Sequence, residues 1–416
     1  MKAFLGNEKA QFRNLDAPSR RLFFSFLLFS VAGSFLPFFI GAFILRSYES
    51  AWLVVAYNAA VFMGLPMGFF VNTFLIRRFS VTRLYFLGAI GSGAVFLPLA
   101  MISGVSNAGV IASGFLFGLA FGLYWGNRHF MTLSITKAPE RSYFFGTLTA
   151  AAMVIGVFTP ILIGWSIVAG EEFGWYLPRT AYLILMILAV IILSFAGWAA
   201  GRLGEKAPRP HAALSPYRFG KGWWSMRLLM SVMGMTSGIG FFAVSLLTFF
   251  LVGKEGILGA LNAVSVVCGA AAVYFLVGRS ASRVRFRLIK LGIAVGFFGG
   301  AFLAIWFDQW GLLLYVMFQA FAGPFVWSVI EPLSLDMIEY DTKNISEDGY
   351  KYIVDREVFL NLGRLVGAGV FVLLGAALSY SSALRFTPLI LSILQLVIVF
   401  WSMTSRTFAF EEEAVS

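Results

Sequence analysis

Long apolar runs alternate with short polar segments along the whole chain. Each run is bounded by charged residues, Gly or Pro, and most are about 20 residues long, which is the length a helix needs to cross a bilayer. The runs fall at 22–45, 51–76, 84–103, 107–126, 143–168, 178–200, 225–252, 256–278, 286–307, 311–333, 355–379 and 383–404. This pattern predicts an all-α integral membrane protein with twelve transmembrane helices.

The longest polar stretch, residues 201–224, is rich in Pro and basic residues and divides the runs into two sets of six. It predicts an N-terminal six-helix bundle (1–200), a cytoplasmic linker (201–224) and a C-terminal six-helix bundle (225–416). The halves resemble each other, because Tyr57-Asn58-Ala59 and Leu261-Asn262-Ala263 are both followed by small and then basic residues. Such internal symmetry is typical of transporter folds built from repeats. Trp223 and Trp224, at the end of the linker, predict an interfacial aromatic belt.

Composition agrees with a membrane protein. Of the 416 residues, 59% are hydrophobic and only 12% are charged, about half the charge density of a soluble protein. The net charge of +11 would suit a nucleic-acid partner in a soluble chain. Here the basic residues concentrate in loops on the side of the termini, and only Arg46, Arg179, Lys254 and Arg385 fall in loops on the other side. The positive-inside rule therefore predicts cytoplasmic termini and no nucleic-acid partner.

The first 21 residues lack an apolar core beside a small-residue cleavage site, so we expect no cleaved signal peptide. The compact loops favour the inner (plasma) membrane of a bacterium. With two His and one Cys, and without a Ser-His-Asp order or a phosphate-binding Gly loop, the chain predicts no enzyme, no cofactor and no metal site. The expected partners are a small solute, protons or sodium, and the lipid bilayer, with the protein a monomer.

Two local motifs carry a family resemblance that extends over essentially the whole chain. Pro139-Glu140-Arg141-Ser142, followed by Gly156-x-x-x-Pro160-x-x-x-Gly164, resembles the loop-four and fifth-span motifs of the major facilitator superfamily. Gly68-x-x-x-Asn72, followed by basic residues, resembles that family's motif between spans two and three, where an Asp is usual.

The resemblance implies a secondary transporter in which two bundles rock around a central cavity. It also implies a cytoplasmic gate, for which the predicted residues are Gly68, Asn72, Arg77, Arg78, Arg141 and Asp336. Because the amide of Asn72 cannot supply the family's charge, we expect the acidic loop from Asp336 to Asp348 to take part in gating instead.

Charged residues inside the apolar runs predict that cavity. Glu357, Asn361 and Arg364 are spaced i, i+4 and i+7, so they share one face of a helix. Glu331 and Arg128 lie at similar positions of the two halves. A charge near the bilayer centre costs at least a few kcal/mol, so such side chains normally face a protein interior or a wet cavity. In the same fourth run, Gly114, Gly118 and Gly122 predict a small-residue packing face.

Each charged candidate has a functional and a structural interpretation. Glu331 resembles the span-ten carboxylate of lactose permease and its relatives and would bind the coupling proton; alternatively it forms a fixed salt bridge with Arg128 or Arg364. Arg364 has the fork geometry that binds a carboxylate or phosphate, or it is a structural partner of Glu357 or the acidic loop. His129 either relays protons or is packed.

The remaining cavity candidates are polar or aromatic, and packing between helices explains each of them as well. They are Asn58, Asn262, Tyr57, Trp125 and Trp327.

These residues predict a secondary active transporter for a small anionic or amphipathic solute, coupled to protons through Glu331. The reason for an anionic solute is that Arg128 and Arg364 need anionic partners. One rival is a proton-coupled exporter of lipophilic cations that binds them with Glu331 and Glu357. Another is a membrane component that transports nothing, such as a sensor.

Overall fold

The computed structural model describes residues 12, 15–102, 104–135, 138–201, 219–220, 223–253, 255–276, 285–341 and 345–404. Within these ranges the regular structure is helical and no strand occurs. Most of the predicted linker 201–224 lies outside them. The helices are α1 Ala17–Gly33, α2 Leu36–Tyr48, α3 Ala51–Leu75, α4 Val81–Ala94, α5 Leu97–Met101, α6 Asn107–Ile135, α7 Ala138–Glu172, α8 Pro178–Gly201, α9 Trp223–Gly240, α10 Ala243–Leu251, α11 Glu255–Leu276, α12 Arg285–Ile305, α13 Gln309–Asp341, α14 Ile345–Ala377 and α15 Tyr380–Thr404.

Polar residues at the ends of the apolar runs start several helices. The Asp16 carboxylate accepts a hydrogen bond from the Ser19 backbone N–H at 2.8 Å and caps α1. The Ser50 hydroxyl accepts from the Leu53 N–H at 3.3 Å and caps α3. Each cap satisfies a backbone donor that has no partner within its own helix.

Three runs predicted as unbroken spans consist of two helices each. Run 22–45 divides into α1 and α2, run 84–103 into α4 and α5, and run 225–252 into α9 and α10. Proline lies in the first turn of α2 (Pro37) and of α5 (Pro98). Its missing N–H and its clash with the preceding residue explain why the chain leaves the helical conformation there. At the third break, Phe241 and Phe242 follow Gly240.

Ten helical segments of the described chain are long and apolar enough to cross a membrane. Two further apolar helices, Phe39–Tyr48 and Gly256–Ala271, are shorter. The predicted integral membrane fold is therefore confirmed, and the count of twelve spans stays a prediction.

We call helices α1–α8 the first bundle and α9–α15 the second, following the predicted division of the chain. In the first, α3 packs closely on α6 through the predicted glycine face. A Cβ atom at Gly118 would collide with the Val61 carbonyl oxygen, and one at Gly122 with the Leu65 carbonyl oxygen. In the second bundle, Gly234 of α9 and Gly363 of α14 allow an equally close contact. The pairs α7–α11 and α3–α14 join the bundles.

The prediction of an acidic loop was wrong. Helix α13 continues to Asp341 and α14 already begins at Ile345, so the backbone of Asp336 is helical and only residues 342–344 separate the two helices. With 33 residues each, these helices are about 50 Å long. That exceeds the hydrocarbon core of about 30 Å, so several turns extend beyond the membrane. Pro139 likewise lies in the first turn of α7 and not in a loop.

The interfacial belt prediction was wrong for Trp223. Its ring is completely buried, and its indole N–H donates to Asp355 at 2.7 Å. Arg227 donates twice to the same carboxylate, at 2.7 and 2.8 Å. This bidentate ion pair joins the third turn of α14 to α9. Trp224 is exposed, as a belt residue should be.

Candidate functional site

Arg364 lies at the interface between the bundles, beside the break between α9 and α10. Its guanidinium carbon is 5.0 Å from the ring centre of Phe241, at that break, and 5.7 Å from the ring centre of Phe62 on α3. The two rings contact each other edge to face, with centres 5.4 Å apart. Arg364 therefore belongs to one bundle and contacts the other through an aromatic pair.

The hydrogen bonds of Arg364 to described residues do not include a carboxylate. Nη1 donates to Asn361 Oδ1 at 3.0 Å, and Asn361 in turn donates to the Glu357 carbonyl oxygen at 2.8 Å. Nε is enclosed and has no hydrogen-bond partner among the described residues. No described carboxylate oxygen lies within the 4.0 Å of an ion pair. The predicted pair between Arg364 and Glu357 is thus not formed, although the predicted polar face is.

Glu357 is paired with a residue that the sequence analysis passed over. Its Oε1 accepts from Arg356 Nη2 at 3.2 Å, and both side chains are buried. Arg356 Nη1 donates to Ser334 on α13 at 2.9 Å. Arg356 Nη2 also lies 3.5 Å from His129 Nε2 on α6. Because arginine can only donate, this last contact is a hydrogen bond only when Nε2 carries no proton.

Arg128, one position before His129, is held by aromatic rings of the first bundle. Its guanidinium carbon lies 4.4 Å from the ring centres of both Phe26 and Trp125. Nη1 donates to the Tyr124 hydroxyl at 3.3 Å. The Trp125 ring also packs on the His129 ring, with centres 5.4 Å apart. Trp125 therefore contacts both Arg128 and His129.

A neutral polar cluster joins the bundles where α3, α6 and α14 meet. Asn127 Nδ2 donates to Asn72 Oδ1 at 2.8 Å, and Asn72 Nδ2 donates to the Tyr350 hydroxyl at 2.7 Å. All three side chains are buried. We call this end of the molecule the Asn72 end; by the positive-inside argument it is the predicted cytoplasmic end. Arg77 and Arg78 are exposed near it, and Gly68 lies against the Leu119 carbonyl.

Contacts between the bundles also occur at the other end. Trp52 on α3 packs on Phe371 and on Tyr380, with ring centres 5.9 Å apart in each case. A Cβ atom at Gly41 on α2 would lie 3.6 Å from Ser245 Cβ on α10. Side chains therefore meet at both ends, with Arg364 between them.

Other predicted site residues are packed or undescribed. Tyr57 is buried against Phe96, with ring centres 6.4 Å apart, and the Asn58 amide donates to the Val54 carbonyl of its own helix at 2.8 Å. Trp327 is half-buried against the apolar core of the second bundle. The side chains of four further candidates lie outside the described part of the structure: Arg141, Asn262, Glu331 and Asp336.

Arg356, Asn127 and Tyr350 are the polar residues that sequence reasoning missed. Arg356 is adjacent to Glu357 and so falls about 100° off the polar face that the i, i+4, i+7 spacing revealed. Asn127 is adjacent to Arg128 in the sequence. It could have been found by asking which residue bonds Asn72, which stands where the family motif usually has Asp. Tyr350 falls between the apolar runs 311–333 and 355–379, and no signal in the sequence joins it to Asn72.

Comparison with known structures decides the fold. The nucleoside transporter NupG superposes with a TM-score of 0.65 at 12% identity, covering 94% of this chain and 99% of that one. The human organic anion transporter MFSD10 gives a TM-score of 0.62 at 14% identity, covering 92% and 100%. The chain has the major facilitator fold.

The sequence relatives of this chain are distant. The Bacillus subtilis (strain 168) protein YqgE is 25% identical over 344 residues, which cover 81% of this chain and 77% of that protein. A Geobacillus stearothermophilus protein encoded in the sodM 3′ region is 29% identical over 114 residues, 27% of this chain and 52% of that one. Both are named as uncharacterized. No family model matches the chain.

Within the major facilitator fold, α3 and α6 correspond to the second and fourth predicted spans, and α14 to the eleventh. Arg128 therefore belongs to the first bundle, and Arg356, Glu357 and Arg364 belong to the second. Both matched structures are named as transporters, in agreement with the prediction that the chain is no enzyme.

Proposed function

We propose that this protein is a secondary active transporter that moves a small organic anion across the membrane by alternating access. Arg364 carries the proposal. Its guanidinium lies between the bundles, and its enclosed Nε has no partner among the described residues. A buried donor without a partner costs about 1–3 kcal/mol, and more when it is charged. A bound carboxylate or phosphate would remove that cost and would match the fork geometry of arginine.

Two further observations support an anionic solute. The described side chains at the interface include three arginines, at 128, 356 and 364, and one carboxylate, Glu357, which is already paired with Arg356. One of the matched structures is named as an organic anion transporter. The surroundings of Arg364 are aromatic, so we expect a solute with an apolar body and one anionic group.

The location and energy source belong to the same proposal. The protein lies in the inner membrane of a bacterium as a monomer, with both termini and the Asn72 end in the cytoplasm. Protons drive transport through Glu331, on the extended helix α13. The two bundles, 1–200 and 225–416, rock about the site while the linker 201–224 connects them.

The test is uptake by proteoliposomes that contain the purified protein. Labelled carboxylates, organic phosphates, nucleosides, sugars and lipophilic cations are supplied with and without a pH gradient. We expect saturable uptake of an organic anion. Arg364→Gln should lower its initial rate at least about 10-fold, since a hydrogen bond to a charged group contributes about 1.5–3 kcal/mol. Arg46→Gln is the matched control, because Arg46 pairs with Glu171 at an exposed site.

Coupling is tested in the same vesicles with Glu331→Gln. If Glu331 carries the proton, this variant loses uptake driven by the pH gradient but still exchanges solute between the two sides. Glu172→Gln, which changes an exposed carboxylate at the end of α7, should keep both activities. Uptake by Glu331→Gln that still follows the gradient would exclude Glu331. Saturable flux of lipophilic cations alone would replace the anion proposal with the exporter.

A further inference from the structure

Arg128 and Arg364 lie at different depths of the interface. Arg364 is next to Phe62, whereas Asn127, the neighbour of Arg128, bonds Asn72. Phe62 and Asn72 are ten residues apart on the same helix, α3, which corresponds to about 15 Å along its axis. A carboxylate or phosphate group is only a few Å across. The α3 residues nearest the two arginines are thus separated by several times the width of one anionic group.

The surroundings of Arg128 hold it in one orientation. The Tyr124 hydroxyl accepts from Nη1, and the Tyr124 ring packs on Tyr85, with centres 4.9 Å apart. The Tyr85 and Ser25 hydroxyls are 2.8 Å apart, and Ser25 donates its only proton to the Ala196 carbonyl. Tyr85 must then be the donor to Ser25. Ser25, Tyr85 and Tyr124 are completely buried. Their packing holds the Tyr124 hydroxyl, and with it this side of the Arg128 guanidinium, in one position.

The described residues offer the other side of the guanidinium no hydrogen-bond acceptor. Arg128 is partly exposed, and the Tyr124 hydroxyl is the one hydrogen-bond acceptor that the described residues provide for it. No described carboxylate pairs with it within 4.0 Å. Phe26 and Trp125 pack on the guanidinium, whose N–H donors all lie in its plane. An in-plane, two-pronged donor with aromatic neighbours suits a carboxylate attached to a flat apolar body.

We propose that Arg128 forms a second anion-binding position, separate from that of Arg364 and nearer the Asn72 end, for small carboxylates with a planar apolar body. This inference rests on the proposed transport of an organic anion. Arg356 lies between the two positions, because it is eight residues before Arg364 on α14 and its Nη2 is 3.5 Å from His129, the neighbour of Arg128. The solute thus occupies Arg128 on the predicted cytoplasmic side of Arg364, and the ion pair of Arg356 with Glu357 lies between the two positions.

The experiment measures how benzoate changes the thermal unfolding of the purified protein in detergent. A ligand stabilises the fold by an amount set by its concentration and dissociation constant, and separate sites contribute independently. We compare the wild type with Arg128→Gln, Arg364→Gln and the double variant, with Arg46→Gln as the matched arginine control. Benzylammonium, which has the same ring and the opposite charge, is the ligand control.

Two separate positions predict that each single variant keeps part of the benzoate shift and that the double variant keeps none. Loss of the whole shift in either single variant means that the two arginines share one site. An unchanged shift in Arg128→Gln means that Arg128 binds no benzoate. Both outcomes overturn this inference and leave the Arg364 proposal standing. A wild type that benzoate does not stabilise overturns the inference and removes support for the organic-anion proposal as well.

Tyr124→Phe provides an independent variant if Arg128→Gln does not fold. It keeps the guanidinium and both rings and removes the hydroxyl that orients Nη1. In the Arg364→Gln background, where Arg128 is the remaining position, it should raise the benzoate concentration for half of the shift about 2- to 10-fold. If the half-shift concentration of benzoate does not change, the Tyr124 hydroxyl does not orient Arg128 for binding.

Discussion

At the scale of single residues, the cluster of Asn72, Asn127 and Tyr350 shows how a neutral group replaces a charge. The amide of Asn72 both donates and accepts, so it bonds Asn127 within its own bundle and Tyr350 across the interface. Tyr350 in turn donates to the Phe69 carbonyl at 3.3 Å. Buried polar groups need such partners. The bundles are therefore joined here without burying a net charge.

Replacing Tyr350 by Phe should destabilise the protein by about 1–3 kcal/mol, because the buried Asn72 N–H would lose its shortest bond. Tyr315→Phe is the matched control: Tyr315 is buried on α13, and its hydroxyl makes no hydrogen bond to a described residue. Equilibrium unfolding in mixed micelles compares the two variants. Equal losses of stability would show that the Tyr350 hydroxyl contributes nothing specific.

At the scale of helices, glycine decides how closely α3 and α6 approach. Their contact places the backbone of one helix directly against glycines of the other, at Gly64 and Gly68 on α3 and at Gly114, Gly118 and Gly122 on α6. The same contact positions Asn127 beside Asn72 and so determines the depth of Arg128. Small residues are the usual means of close helix contact in membranes, where apolar burial drives association weakly.

Gly118→Ala should therefore destabilise the protein although alanine is the better helix former. The new Cβ would collide with the Val61 carbonyl oxygen and lie 2.9 Å from the Leu65 nitrogen, and forcing extra volume into a tight contact typically costs 1–3 kcal/mol. At Gly369 on α14 a Cβ meets no described atom within 4 Å, so Gly369→Ala should be neutral or slightly stabilising. Unfolding midpoints in detergent distinguish the two. A stable Gly118→Ala protein would mean that α3 and α6 separate easily.

At the scale of the whole molecule, the bundles touch at the Asn72 end through α3, α6 and α14. At the other end they touch through Trp52 with Phe371 and through Gly41 with Ser245. Alternating access requires that these two sets of contacts open in turn. A covalent link at one end should then stop the cycle.

Cysteines at positions 41 and 245 supply such a link. The Cβ atoms would be 3.6 Å apart, which is within the range of natural disulfides. In a Cys268→Ser background, oxidation of the Gly41→Cys, Ser245→Cys protein should abolish solute uptake in proteoliposomes, and a reductant should restore it. Each single-cysteine variant serves as control. Full-rate uptake by completely cross-linked protein would be incompatible with opening at this end.

The sequence by itself determined the membrane class, the glycine face of α6 and the shared helix face of Glu357, Asn361 and Arg364, while the division of the spans into two sets of six stays a prediction. All of these follow from local spacing, because hydrophobic length and helical periodicity act within one segment. Glu331 could be singled out in the same way, and its role stays a prediction.

Only the tertiary structure decided which polar groups meet. Arg356 pairs with Glu357, and Arg364 lies beside Phe62 and Phe241. Asn72 bonds Tyr350 and Asn127, the neighbour of Arg128, at a point about 15 Å along α3 from Phe62. Such contacts join residues far apart in the chain. These contacts depend on the rotation and depth of each helix. Packing at glycines and at helix breaks sets both, and so determines where the charges of this protein lie.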